Sequence, residues 1–174
     1  MRVEIEREGE GKIPIEGVIG DELRKGGLSL GTAESCTGGL LSHRITNVSG
    51  SSDYYKGGIV AYSNEVKQKI LHVAEKTLEE KGAVSAACAR EMSIGVRNLL
   101  DADIGIATTG IAGPTGGTPD KPVGLVYIAL ATNKYVYHEK HIFQGDRGEN
   151  KREAVDAALE MLKASLKRAR SSER

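Results

Sequence analysis

Apolar positions along the chain switch repeatedly between helical and strand spacing. Pro14 opens a stretch in which Ile15, Val18, Ile19 and Leu23 share a helical face, closed by Gly26-Gly27. Leu28 to Ala33 reads as a short strand. Thr37 to Val48 reads as a helix with Leu40, Leu41, Ile45 and Val48 on one side and Gly50 at its end. Gly58 to Ser63 is the next strand. Asn64 then reads as a helix N-cap with Glu65 in the first turn and Val66, Ile70 and Leu71 facing inward. Thr77 to Lys81 forms a helical turn before Gly82. Ser85 caps a longer helix on which Cys88, Met92, Val96 and Leu99 recur at helical spacing.

Ile104 to Thr108 reads as a buried strand running into the loop Gly110-Ile111-Ala112-Gly113-Pro114-Thr115-Gly116-Gly117. Val123 to Ala131 and Tyr135 to Phe143 are two strands joined at Thr132-Asn133-Lys134, hence an antiparallel hairpin. A last helix starts near Arg147, lined by Val155, Ala158, Leu159, Leu162 and Leu166. Helices alternating with strands predict a layered α/β domain, and the hairpin makes its sheet mixed. Residues 1–13 are charged and alternate weakly; they either add an edge strand or stay without structure. The charged tail from Arg168 is expected to fray. The expected organisation is a charged extension over residues 1–14, a single domain over 15–168 and a tail over 169–174.

Composition narrows the function. Lys and Arg total 24 and Asp and Glu total 24 in 174 residues, so no net field draws the chain to nucleic acid or an anionic membrane. The charged N-terminus has no apolar core of a signal peptide, and no run approaches the roughly 20 apolar residues of a membrane helix. A cytoplasmic location is expected. Cys36 and Cys88 are too few for a disulfide framework. His138 and His141, three apart in a strand, point to opposite faces, and His43 and His72 stand alone, so no metal site is expected. Glycines gather at 38–39, 57–58 and 110–117, where a backbone can approach a ligand closely.

The candidate chemistry lies in two stretches, Ala33-Glu34-Ser35-Cys36-Thr37-Gly38-Gly39 and Gly57-Gly58-Ile59-Val60-Ala61-Tyr62-Ser63-Asn64-Glu65-Val66-Lys67. Ser35 sits between a strand and a helix, where the amides of Cys36, Thr37 and Gly38 are placed to bind a developing oxyanion. Lys67 lies one turn into a helix. A buried, neutral lysine deprotonates a serine without histidine, metal or cofactor, and the Tyr62 hydroxyl is placed to relay a proton or orient the lysine. The plainer readings are a capping serine and a solvated lysine. Cys36 is an alternative nucleophile, since a helix N-terminus lowers a thiol pKa. The loop with Gly110, Gly113 and Gly116 has the composition of an anion nest and lacks the lysine of a Walker A loop. Arg147, in Gly145-Asp146-Arg147-Gly148, is a candidate phosphate or carboxylate clamp, although a surface ion pair is the commoner use of such an arginine.

The stretches AESCTGG, GSSDYYKGGIVAYSNEVK, GAVS, TTGIAGPTGGTPDKPVGLVYIA and GDR resemble, in order and over about residues 15–165, the C-terminal domain of the competence/damage-inducible CinA proteins. Stand-alone versions of that domain are nicotinamide-nucleotide amidohydrolases, which convert nicotinamide mononucleotide to nicotinate mononucleotide and ammonia in pyridine-nucleotide salvage. The resemblance implies Ser35 as nucleophile, Lys67 as base, Tyr62 as an active-site tyrosine, and Thr109 and Arg147 on the substrate. It further implies an α/β/α sandwich that forms dimers or larger homo-oligomers, acts on a small nucleotide and uses no cofactor. The motifs do not reach the larger N-terminal domain of full-length members, so activities of that domain are not expected here. The rival class is a non-catalytic nucleotide-binding or partner-binding module linked to competence or DNA damage. A binder has no need of Ser35, Tyr62 and Lys67 together.

Overall fold

A computed structural model describes residues 13–171. Expectations for residues 1–12 and for the last three residues lie outside the described residues. The sheet has five strands: β1 (Leu30–Glu34), β2 (Tyr55–Val60), β3 (Ile104–Gly110), β4 (Leu125–Ala131) and β5 (Val136–Ile142). Their order across the sheet is β2-β1-β3-β4-β5. The first three run parallel, and β4 and β5 form the antiparallel hairpin, so the sheet is mixed as expected.

Helices α1 (Ile15–Gly26), α2 (Leu40–Thr46) and α6 (Arg147–Ser171) cover one face. Helices α3 (Asn64–Leu71), α4 (Glu75–Glu80) and α5 (Ala86–Leu99) lie on the other, with α5 running across β1, β3, β4 and β5. This is the α/β/α sandwich. Strand alternation makes its two faces unlike. Leu30, Ile104, Ile106, Val126, Ile128 and Leu130 pack under α1, α2 and α6. The opposite face carries Gly31, Ala33, Gly105, Ala107, Ala129 and Ala131, and this carpet of small residues lets α5 sit close. At Gly105 a Cβ would run into the Ser93 carbonyl of α5.

Element bounds differ from the expectations at informative places. The second strand spans Tyr55–Val60 rather than Gly58–Ser63, because pairing with β1 begins at Leu30 opposite Tyr55. Its glycines are interior: a Cβ on Gly58 would meet the Thr32, Ser42 and Tyr55 hydroxyls. Helix α2 starts at Leu40, since Gly38 (φ +62°) and Gly39 (φ +95°) put a left-handed turn where the helix was expected to begin. Ser63, not Asn64, caps α3, its hydroxyl accepting from Val66 N at 3.2 Å. Ile70 and Leu99, expected inside, are 40% and 47% exposed. The last helix continues to Ser171 rather than fraying from Arg168. Among the described residues no helix is long and apolar enough to cross a membrane.

The close seat of α5 gives a first test. Gly105→Ala overpacks the β3–α5 contact and should cost about 2–3 kcal/mol, lowering Tm by roughly 5–10 °C for a chain of this size. Calorimetry on the purified variant measures it.

Candidate active site

Because β1, β2 and β3 are parallel, their C-terminal ends lie at one sheet edge, the usual place for a ligand in such folds. Ser35 follows β1, Ala61 and Tyr62 follow β2, and Thr109 and Gly110 end β3. There they surround a cavity of about 280 Å³ whose walls include Ser35, Cys36, Tyr62, Lys67, Thr109 and Arg147.

Lys67 is the largest fully buried side chain, 1% exposed, although it is a lysine. Its Nζ lies 2.8 Å from Ala61 O, 3.3 Å from Tyr62 O and 3.1 Å from Ser35 Oγ. Desolvation by burial is the largest influence and lowers its pKa, while the Cys88 and Cys36 thiols act the other way. The two carbonyls take two N–H donors. As an ammonium Nζ donates to Ser35 Oγ as well; in the neutral amine two N–H groups serve the carbonyls and the lone pair is left to accept from the Ser35 hydroxyl.

Glu34 and Ser35 are neighbours at the end of β1, so their side chains point to opposite faces. Ser35 turns toward Lys67, and its amide is held by Thr108 O at 2.9 Å. Glu34 turns toward α2 and is fully buried. Its oxygens accept from Thr37 Oγ1 (2.7 Å), Gly39 N (3.0 Å), Leu41 N (3.0 Å), Ser42 N (2.8 Å) and Ser42 Oγ (2.7 Å). The carboxylate thus caps α2 from within β1 and fixes the turn carrying Ser35. Gly38 N is used by Ser35 O. Among the described hydrogen bonds the amides of Cys36 and Thr37 are not used; Cys36 lines the cavity, whereas Thr37 is fully buried outside its wall, and the Gly38 amide, also expected to serve, is bonded to Ser35 O.

Cys36 reaches the cavity wall, but burial pushes its thiol up to about 12, which disfavours the thiolate a nucleophile needs. Thr37 lies beneath the turn, bonded to Glu34 and Thr108. The Tyr62 hydroxyl corrects the expectation of a relay to Lys67: the side chain is 63% exposed and its oxygen accepts from Arg147 Nη2 at 3.1 Å. It is the carbonyl of Tyr62 that holds the lysine. Thr109, buried, donates to Ala83 O at 2.8 Å and ties β3 to the start of α5. Gly110, Gly113 and Gly116 all line the cavity. Arg147 Nη1 donates to Gly113 O at 2.7 Å.

Sequence reasoning missed Glu34 and Asn150. Asn150 is buried, donates to Ala112 O at 3.0 Å and accepts from Gly145 N at 3.0 Å, stapling the glycine loop to the segment before α6. A carboxylate just ahead of a glycine-bearing turn was a visible signal for the first. Nothing local marked the second.

Comparison with known proteins shows the family and the fold. Residues 12–166 match the CinA C-terminal domain. A CinA-like protein of Salinibacter ruber is 49% identical over 158 residues, and a competence-damage inducible protein of a Thermoanaerobacter species is 51% identical over 152 residues. These matches cover 91% and 87% of this chain but 38% and 37% of those proteins, so the chain spans less than two fifths of their length. Among solved structures, a CinA superfamily protein of Klebsiella pneumoniae superposes with a TM-score of 0.86 at 36% identity, covering 88% of this chain and 96% of that one. A competence/damage-inducible protein of Agrobacterium tumefaciens gives 0.81 at 37% identity, covering 89% and 98%.

Burial of Lys67 has a measurable consequence. Its folded pKa lies below the ordinary 10.5, so between that folded value and 10.5 the unfolded chain binds more protons. Stability attributable to Lys67 is therefore present above 10.5 and is lost as pH falls through the folded value. Lys67→Met should remove that dependence. The stability difference between wild type and variant, from urea melts across this window, should shift toward the wild type as pH rises, by at most about 1.4 kcal/mol per pH unit. Parallel curves would mean that the lysine is not desolvated.

Proposed function

The chain belongs to the CinA C-terminal domain family, and from that premise we propose that it hydrolyses the carboxamide of nicotinamide mononucleotide, giving nicotinate mononucleotide and ammonia, by a Ser–Lys mechanism in pyridine-nucleotide salvage. The observation that carries the reading is a buried lysine of lowered pKa with its Nζ 3.1 Å from Ser35 Oγ and its other donors on carbonyls.

Neutral Lys67 takes the Ser35 proton as Oγ attacks the carboxamide carbon. The carbonyl oxygen becomes an oxyanion and meets the amide of Cys36 in the cavity wall. Lys67, now an ammonium, passes its proton to the amide nitrogen, and ammonia leaves an acyl-serine. Water then enters, Lys67 removes its proton, and the acid is released with Ser35 reprotonated. Among the described residues no carboxylate bonds to Lys67, and desolvation disfavours its charged form. Arg147 offers the charge-assisted contact for the phosphate, with Tyr62 backing its guanidinium.

Ammonia release from the mononucleotide is the direct assay. Ser35→Ala should reduce it by orders of magnitude while the mononucleotide still binds, and Cys36→Ala should keep most of it. A dead Cys36→Ala beside an active Ser35→Ala would move the nucleophile to the thiol. Wild type that binds the mononucleotide without releasing ammonia would make the domain a binding module.

The base gives a separate test. Rate should rise with pH on an ionisation below the ordinary lysine value of about 10.4. Lys67→Arg should be nearly inactive, because arginine keeps its proton in this range. A Lys67→Arg variant with wild-type turnover would end the Ser–Lys mechanism.

A further inference from the structure

The reaction cavity, about 280 Å³, falls just short of the roughly 300–1,000 Å³ of clefts that hold whole small ligands. A second cleft of about 660 Å³ adjoins it, and the two share Ala112 and Arg147 in their walls. The Arg147 side chain, bonded to Gly113 O and the Tyr62 hydroxyl, stands between them. On the far side the outer cleft is lined by Pro114, Val123, Gly145 and Arg152.

Arg152 reaches this cleft for a local reason. A helical side chain leans over the turn N-terminal to its own Cα. The residue one turn earlier is Gly148, and an added Cβ there would lie 3.2 Å from Arg152 Nη1. The absent side chain is the space the guanidinium occupies. The neighbouring acids make no ion pair with it. Glu149 accepts from Asp146 N at 2.7 Å and Asp146 accepts from Glu149 N at 2.8 Å, a reciprocal cap that uses both carboxylates on backbone. Among the described residues neither Arg147 nor Arg152 is paired with a carboxylate. Two guanidiniums without a carboxylate ion pair thus face one cleft, whose walls also hold Asp146 and the apolar Ala112, Pro114 and Val123.

We propose that this outer cleft is the phosphate-monoester subsite of the reaction pocket, with Arg152 as its second guanidinium. The inference rests on the nucleotide reading above and extends it to the substrate's far end. The carboxamide end lies at Ser35, the substrate passes Arg147, and the phosphate is held between Arg147 and Arg152. Arg152 then selects mononucleotide over nucleoside and touches no reacting atom.

Calorimetric titration with ribose 5-phosphate, which has no amide to cleave, tests the subsite apart from the chemistry, with ribose and inorganic phosphate as further probes. Wild type should bind ribose 5-phosphate, Arg152→Gln about tenfold or more weakly, and Arg152→Lys between them, with ribose binding equal in all three. Arg152 is exposed, so the fold should survive both changes. In turnover of the mononucleotide, Arg152→Gln should raise KM with kcat nearly unchanged. The subsite is overturned if ribose 5-phosphate fails to bind wild type, or binds Arg152→Gln as tightly. It is also overturned if inorganic phosphate binds as well as the sugar phosphate, which would give the cleft to the free ion. Binding that depends on Arg152 without any ammonia release would keep the subsite and end the amidase reading. Ammonia release with an unchanged KM in Arg152→Gln would do the reverse.

Discussion

Glu34 is a fully buried carboxylate whose recorded bonds come from backbone amides and hydroxyls, with no lysine or arginine among them. Burying such a charge costs several kcal/mol unless donors replace the lost water. Here the first turn of α2 supplies amides that would otherwise lack partners, and the positive end of the helix adds to them. The arrangement is reciprocal: the carboxylate needs the helix start, and the helix start needs the carboxylate. For the amides of Gly39, Leu41 and Ser42 to reach one side chain, the chain must turn sharply after Thr37, and left-handed Gly38 and Gly39 make that turn. The hydroxyls of Tyr55, Thr32 and Ser42 on one side, and Thr108 and Thr37 on the other, complete a polar chain converging on Glu34. Ser35 sits where this assembly leaves it.

The same alternation that sends Glu34 to α2 sends Ser35 to α3. A buried acid and a buried base are thereby kept on opposite faces of one strand. Had they shared a face, they would have formed an ion pair, and the attraction would have raised the lysine's pKa. Separated by the backbone, Lys67 bonds to carbonyls and the serine, and desolvation is the largest influence on its pKa.

Much of this was legible in the sequence where a signal was local and periodic. The apolar faces at Val155 to Leu166 and Cys88 to Val96 are buried as their spacing requires, and the β4–β5 hairpin forms at Thr132 to Lys134. The motif order led to the family, and the strand ends bring Ser35 and Lys67 into contact. What escaped was set by partners distant in sequence. Gly57-Gly58 read as a place for close approach to a ligand at the start of a strand, because nothing nearby shows that hydroxyls of Thr32 and Ser42 fill the space above Gly58. Tyr62 read as a relay because sequence places a residue, not its atoms; its carbonyl and its hydroxyl serve different neighbours. Asn150 looked like one polar residue among many on a charged helix, yet both ends of its amide are buried in bonds to loops.

The mixed sheet explains how the two halves of the site meet. The parallel strands supply Ser35 and Lys67 at one edge. Strand β4 then reverses, so the segment between β3 and β4 stays at that edge instead of crossing the sheet as a helix would. A second reversal into β5 returns the chain to the same edge, and α6 begins there with Arg147. The returning strand is bonded to the glycine segment: Phe143 N donates to Gly124 O at 3.0 Å, and Gly124 N to Ile111 O at 2.8 Å. Gly124 (φ +85°) lies so close to the Phe143 carbonyl that a Cβ would overlap it. The glycine loop is thus held from beneath by β5 and from the side by Asn150, and Arg147 bonds to a carbonyl of that same loop. The arginine's position relative to Ser35 follows from a short run of backbone hydrogen bonds, which is why a residue 112 positions along the chain from the serine lines the same cavity.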